Sequence, residues 1–385
     1  MASPARICYT FIGSIAHDSR ARRMLQSLSN EYNVHAVICL RSGEEDAGVE
    51  GIDIHPWRAS GTDRFRSMVF KFWSEGRRIA ESTKADVYIA GDLYTLPAAA
   101  NAAQRTGGAL VYDSRELYSA LASLERRSLT QKFWNFIERR YARRAKAVLT
   151  VNHSIAEILR GTFRKTPVFV VHNYPDADNS TQPSGTADRQ ILRTRLNIPA
   201  DRSVLISNGG IQAGRGAFIA LDLVAALEDV HLVFLGSGPL EGELRFRAEA
   251  DGLADRVHFL QMLSTEVVKF TAGADIGLCL VENRSMSYYL SLPNKLFEYL
   301  HAGLPVVGSN FPEIRRVIEE NKLGTALEPT DGKALLRAVE KLLHDKPYHA
   351  ICAQNAREAA RKYTWATEEE NLQELVRDVV EERNS

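Results

Sequence analysis

What most restricts this chain is a rhythm that runs nearly its whole length. Short apolar runs, each closed by a glycine or a polar cluster, alternate with stretches of helical periodicity. The runs are near-continuous in Val, Ile, Leu and Ala rather than alternating. Strands of that kind are buried on both faces, which is the habit of parallel sheets covered by helices. In the first half they occur at 6–11, 34–40, 86–90, 109–112, 147–151 and 168–171. In the second half they occur at 204–207, 231–235, 257–260, 276–280 and 304–308. Between the halves, residues 176–188 are polar, contain Pro and Gly, and are aperiodic, as a linker is. A chain of 385 residues also exceeds one ordinary hydrophobic core. The expected fold class is therefore α/β, with two doubly wound domains. Their expected bounds are 1–175 and 201–364, joined by a linker over 176–200 and followed by an amphipathic helical segment over 365–385.

Charge and cysteine usage narrow the function classes. No apolar run approaches a bilayer span, and the N-terminus lacks a signal-peptide core. The four cysteines are isolated, without a C-x-x-C, as in a reduced cytoplasmic protein. The formal net charge is zero, yet residues 1–180 carry 25 Lys+Arg against 19 Asp+Glu, and the remainder is acidic. Only the first half is thus suited to an anionic partner. Basic residues border aromatics in the helical stretches 63–81 (Arg66, Phe70, Trp73, Arg77) and 131–148 (Lys132, Phe136, Arg139, Arg143, Lys146). This pattern fits peripheral contact with an anionic membrane surface through the N-terminal domain, and equally a solvated cationic face. No nucleic-acid motif is present. No His/Cys/Asp cluster has metal-site spacing, and Asp176-x-Asp178 falls in the linker, so neither metal nor cofactor is expected.

Residues 291–309 carry the most chemistry. Pro293 and Gly303 bracket a helix over 293–303, and a strand follows. Lys295 and Glu298, three apart, share a face near the helix start, with Asn294 beside them. Exposed amides, a helix dipole and a lysine suit a diphosphate, and a carboxylate one turn on suits the vicinal hydroxyls of a ribose. A capped amphipathic helix with a surface ion pair has the same spacing. Upstream, the glycine-rich 208–216, with Gly209, Gly210 and Arg215, follows a strand and opens a helix, forming a second phosphate cradle. Gly236 closes the next strand. In the first half, polar groups cluster after the strands: Gly13, His17 and Asp18, then Asp92, then Asp113, Arg115 and Glu116. Ligands of open α/β sheets bind beyond the carboxyl ends of strands. Asp113 and Glu116 also fit a helix-capping box.

The stretches 293–307, 209–216 and 113–116 resemble the retaining glycosyltransferases of family 4. That resemblance implies the GT-B fold: two Rossmann-like domains facing a central cleft, with the final helix crossing back to the first domain. It implies a nucleotide-sugar donor (UDP- or GDP-linked), used without metal, and transfer to a glycan, lipid-linked or small-molecule acceptor with retention of configuration. By the same resemblance, Arg215 and Lys295 neutralise the departing diphosphate, Glu298 holds the ribose, and Gly209, Gly210, Gly236, Asn294 and Gly13 line the donor. Asp113, Arg115, Glu116, His17, Asp18 and Asp92 fall on the acceptor side. The sequence departs from the family pattern twice: Leu290 stands where a glutamate is usual, and Arg115 where a histidine is. Those departures keep two other readings open, a nucleotide-sugar epimerase of the same fold and a catalytically silent nucleotide-sugar-binding subunit.

Overall fold

The structure, a computed structural model, describes residues 4–15, 18–44, 48–121, 128–176, 186–263 and 265–384. The chain forms two compact units, Met1–Asn173 with Trp365–Ser385, and Tyr174–Thr364.

The first unit is built on a parallel sheet of seven strands: β1 (Arg6–Ile12), β2 (Asn33–Leu40), β3 (Ile52–Arg58), β4 (Val87–Ala90), β5 (Ala109–Ser114), β6 (Ala147–Thr150) and β7 (Val168–Val170). Their order is β3-β2-β1-β4-β5-β6-β7, so the direction of winding reverses between β1 and β4. β3 carries no apolar run, which is why the sequence rhythm passes over it. As an edge strand it alternates between exposed and half-buried residues and tolerates Pro56. The helix read over 131–148 ends earlier, since it spans Ser128–Ala142. Ala145 lies in the following turn and Val148 in β6, so they owe their burial to the sheet rather than to a helical stripe.

The C-terminal helix Trp365–Asn384 belongs to this unit. Trp365, Leu372, Leu375, Val376 and Val379 recur at seven-, three- and four-residue spacing and enter the same core as the β1 and β2 residues. The Trp365 indole donates to Ser27 Oγ at 2.8 Å, and Glu368 accepts from the His172 amide at 2.9 Å.

The second unit has six parallel strands: β8 (Ser203–Asn208), β9 (Val230–Leu235), β10 (Val257–Leu260), β11 (Ile276–Cys279), β12 (Val306–Ser309) and β13 (Gly324–Leu327). Their order is β10-β9-β8-β11-β12-β13, with the reversal between β8 and β11. The stretch 176–200 is not linker throughout. A helix spans Thr186–Leu196, and its Leu192 is fully buried in this unit's core with Ile198 and Tyr174. The part 177–185 lies outside the described residues.

Candidate functional site

The helix of greatest interest spans Asn294–His301, with Pro293 as its N-cap residue rather than its first helical one. Gly303 adopts φ +69°, a left-handed conformation that favours glycine, and donates its amide to Leu300 O. Leu296, Phe297, Tyr299 and Leu300 are buried together, each contributing about 1.5–3 kcal/mol of apolar transfer. That packing drives the helix face bearing Lys295 and Glu298 against the carboxyl ends of β8 and β11. The Tyr299 hydroxyl accepts from the Asn208 amide at 3.0 Å and reaches Leu278 O at 3.0 Å, fixing the helix to both strands. This is the point where the sheet reverses, the place ligands of open α/β sheets occupy.

Lys295 is not a surface lysine. It is 7% exposed, its Nζ donates to Ser207 Oγ at 3.2 Å, and burial together with the nearby Arg215 charge brings its pKa down to about 8. The surface ion-pair reading therefore fails, because no salt bridge joins it to Glu298 among the described residues. Two cations held close in a dry site repel one another and favour an anion between them. The Arg215 guanidinium stacks on the Tyr288 ring at 4.9 Å. Glu298 is aimed by Asn208, whose amide group donates both to Glu298 Oε2 (2.9 Å) and to Thr271 Oγ1 (2.8 Å). Thr271 in turn donates to Val267 O.

Glycines shape the cradle, though not all in the way the sequence implies. The Gly209 amide is not a free donor, since it bonds Leu235 O at 2.9 Å. Gly236 is required because a Cβ there would run into the Gly209 carbonyl. Among the described residues nothing accepts from the Gly210 amide, and the amides of Asn294 and Lys295 open the helix unpaired. Leu290, where the family has a glutamate, is buried.

In the first unit, Asp113 is fully buried at the end of β5 and caps no helix. It takes a bidentate ion pair from Arg20 (2.6 and 2.9 Å) and a bond from Arg115 Nε at 3.2 Å. Arg115 is turned inward as well. It bonds Asp18 Oδ2 at 2.8 Å and the Tyr9 hydroxyl, and lies over the Phe11 ring at 4.7 Å. The expectation that it lines the acceptor side thus gives way to an internal clamp. Asp18 is the N-cap of the helix Ser19–Ser29. Asp92, raised to about 6 by burial, accepts from the amides of Ile12 and Thr95. Gly13 donates to Cys39 O with φ +120°, Glu116 is exposed, and His17 lies outside the described residues.

Sequence reading missed Asn208, Ser207 and Tyr288. Asn208 had a local signal, as a polar residue ending a buried strand immediately before Gly-Gly. The others had none, since their roles depend on elements distant in the chain.

Comparison with known proteins agrees with this architecture. Residues 18–174 match the model of the glycosyl transferase 4-like domain, and residues 188–359 that of glycosyl transferases group 1. The α-D-kanosaminyltransferase of Streptomyces kanamyceticus is 26% identical over 276 residues, covering 70% of this chain and 69% of that one. Other curated relatives are matched over between 40% and 56% of their length. Anabaena HepE, solved with UDP-glucose, superposes with a TM-score of 0.75 at 16% identity over 97% of this chain and all of that one. Sucrose-phosphate synthase of Thermosynechococcus elongatus gives 0.78 at 15% identity, covering 97% and 99% of the two chains. Two parallel sheets of this order, together with the likeness to these structures, show the GT-B fold. The chain belongs to the family 4 type of glycosyltransferases.

Proposed function

We propose that this protein transfers a sugar from a nucleoside diphosphate donor, UDP- or GDP-linked, to a glycan, lipid-linked or small-molecule acceptor with retention of anomeric configuration. The observation that carries the reading is the pairing of a buried lysine with Arg215 at the mouth of β8 and β11, beside a carboxylate held by Asn208. Negative charge grows on the diphosphate as the glycosidic bond breaks, and preorganised cations in a water-poor site stabilise it. The pocket needs no metal for this, because Lys295 and Arg215 supply the positive charge. Glu298 receives the ribose hydroxyls. The acceptor attacks from the leaving-group side, and the diphosphate takes its proton. In the first unit the exposed Glu116 faces the acceptor, while Asp18, Asp113 and Arg115 hold one another and the loop that presents it. Nucleotide-sugar binding by HepE supports the donor class.

Addition of UDP- or GDP-sugar at a hundredfold excess over Kd should stabilise the protein by about 2.7 kcal/mol. Glu298→Ala should lose most of that thermal shift, and a full response from this variant would refute the ribose assignment. The anomeric configuration of the product, read by NMR, tests retention.

The lysine adds a pH signature. Below about 8 Lys295 is protonated in the free protein, and above it the charge is lost. Donor affinity should therefore be level at neutral pH and weaken as pH rises through 8, approaching tenfold per unit. In Lys295→Arg the guanidinium stays charged, so the weakening should vanish. A wild-type profile flat to pH 9.5 would contradict the assignment.

A further inference from the structure

The helix Ser128–Ala142 turns Trp134 and Ile137 into the core of the first unit, yet its opposite face is not ordinary surface. Leu129, Phe133 and Phe136 stand on it at four- and three-residue spacing, 80%, 39% and 64% exposed. Phe133 continues into Phe70 of the neighbouring helix Phe65–Ser82, with ring centroids 6.1 Å apart, and Phe70 is also exposed. Four of the eleven exposed large apolar side chains among the described residues thus gather in one patch, while the others outside these two helices are scattered through the chain. Isolated exposed apolar groups call for no explanation, whereas a contiguous set does.

Charge identifies what the patch meets. Along the same outer face the apolar half is followed by Arg139 and Arg140, with Arg143 in the turn just past the helix end, all three exposed, and Lys132 lies beside Phe133. The helix has one acid, Glu138, and it is buried with the Tyr112 hydroxyl donating to it at 2.9 Å. On the neighbouring helix Glu75 and Glu81 are taken up by Arg78 and Arg77. No carboxylate therefore answers the arginines from either helix. Of the other basic groups seen in the sequence, Arg77 is taken up by Glu81, Lys146 lies past the helix end and pairs with Glu382, and Arg66 reaches Thr130 at the start of the same helix.

We propose that this face docks on an anionic lipid bilayer, with Leu129, Phe133, Phe136 and Phe70 entering the headgroup boundary and the arginines meeting lipid phosphates. Aromatic and aliphatic side chains flanked by cations suit that boundary, where an anionic leaflet neutralises every arginine at once. A second copy of the chain would instead set cationic faces against each other. The surface is separate from the donor pocket, so each assignment can fail without the other.

Flotation of the full chain with vesicles tests it, using phosphatidylcholine alone or with about 30% phosphatidylglycerol. The wild type should float with the anionic vesicles only, and less so as salt is raised. The combined variant Arg139→Glu, Arg140→Glu, Arg143→Glu should bind on the order of 100-fold more weakly. The pair Phe133→Ser, Phe136→Ser should lose at least about tenfold. Both should keep the donor-induced thermal shift, which reports that they are folded. The Trp fluorescence of Phe136→Trp should move to the blue on vesicle addition. Absence of wild-type flotation, flotation unchanged in both variants, or variants that abolish a dimer seen by light scattering would each overturn the proposal.

Discussion

Lys295→Met should lower sugar transfer by about 10²–10³-fold in kcat, the usual cost of removing one preorganised charge from a developing anion. The substitution keeps the aliphatic stem, so packing against the core changes little. The unliganded protein should not be destabilised. An ammonium whose pKa is depressed by burial and by Arg215 opposes folding when charged, and its removal relieves that penalty. The informative result is thus a split: turnover collapses while the thermal midpoint without donor holds or rises. Only the lost bond to Ser207 Oγ works against it. A variant that keeps wild-type kcat would remove Lys295 from the chemistry. Loss of activity together with a fall in the midpoint would make it a structural residue. Steady-state kinetics and a melting curve on the same preparation decide between these outcomes.

The second large effect falls in the other unit and has the opposite character. Asp113→Asn should destabilise the protein by about 3–5 kcal/mol, because Arg20 and Arg115 are then left buried with one carboxylate fewer. Asp18 still meets Arg115, but Arg20 loses its charged bidentate partner and keeps, among the described residues, Val171 O and at most one asparagine oxygen. Urea denaturation reads the change. If Asp113 instead acted directly on an acceptor, the asparagine variant would unfold at the wild-type midpoint and fail only in turnover. Donor binding by the folded fraction should be preserved, since nothing in the Asp113 cluster belongs to the second unit.

Much of this architecture was legible in the sequence, and the exceptions share a cause. Buried parallel strands announce themselves as apolar runs, so eleven of the thirteen strands follow from residue type alone. The two that do not, β3 and β13, lie at sheet edges, where one side is open and the residues need not be apolar. The helix Asn294–His301 was readable because its cap, stop and charged residues are local. What spacing could not give was the burial of Lys295, which comes from Tyr299 tying the helix to β8 and β11. The acceptor side was read less well. Asp113, Arg115 and Asp92 stand where strands end and so look like free functional groups, yet their partners lie about 80–100 residues away in the chain, at Ile12, Asp18 and Arg20. Loop polarity alone does not reveal whether a charge faces outward or is already paired.

The return of Trp365–Asn384 to the first unit has a consequence for biosynthesis. The whole of the second unit, Tyr174–Thr364, is inserted within the first, whose core contains Trp365, Leu372 and Val376. Domains made early on the ribosome usually close early. Here the lobe translated first has all its strands by Val170 yet keeps its apolar seam uncovered until Trp365–Asn384 emerges, whereas the lobe translated second is complete by Thr364.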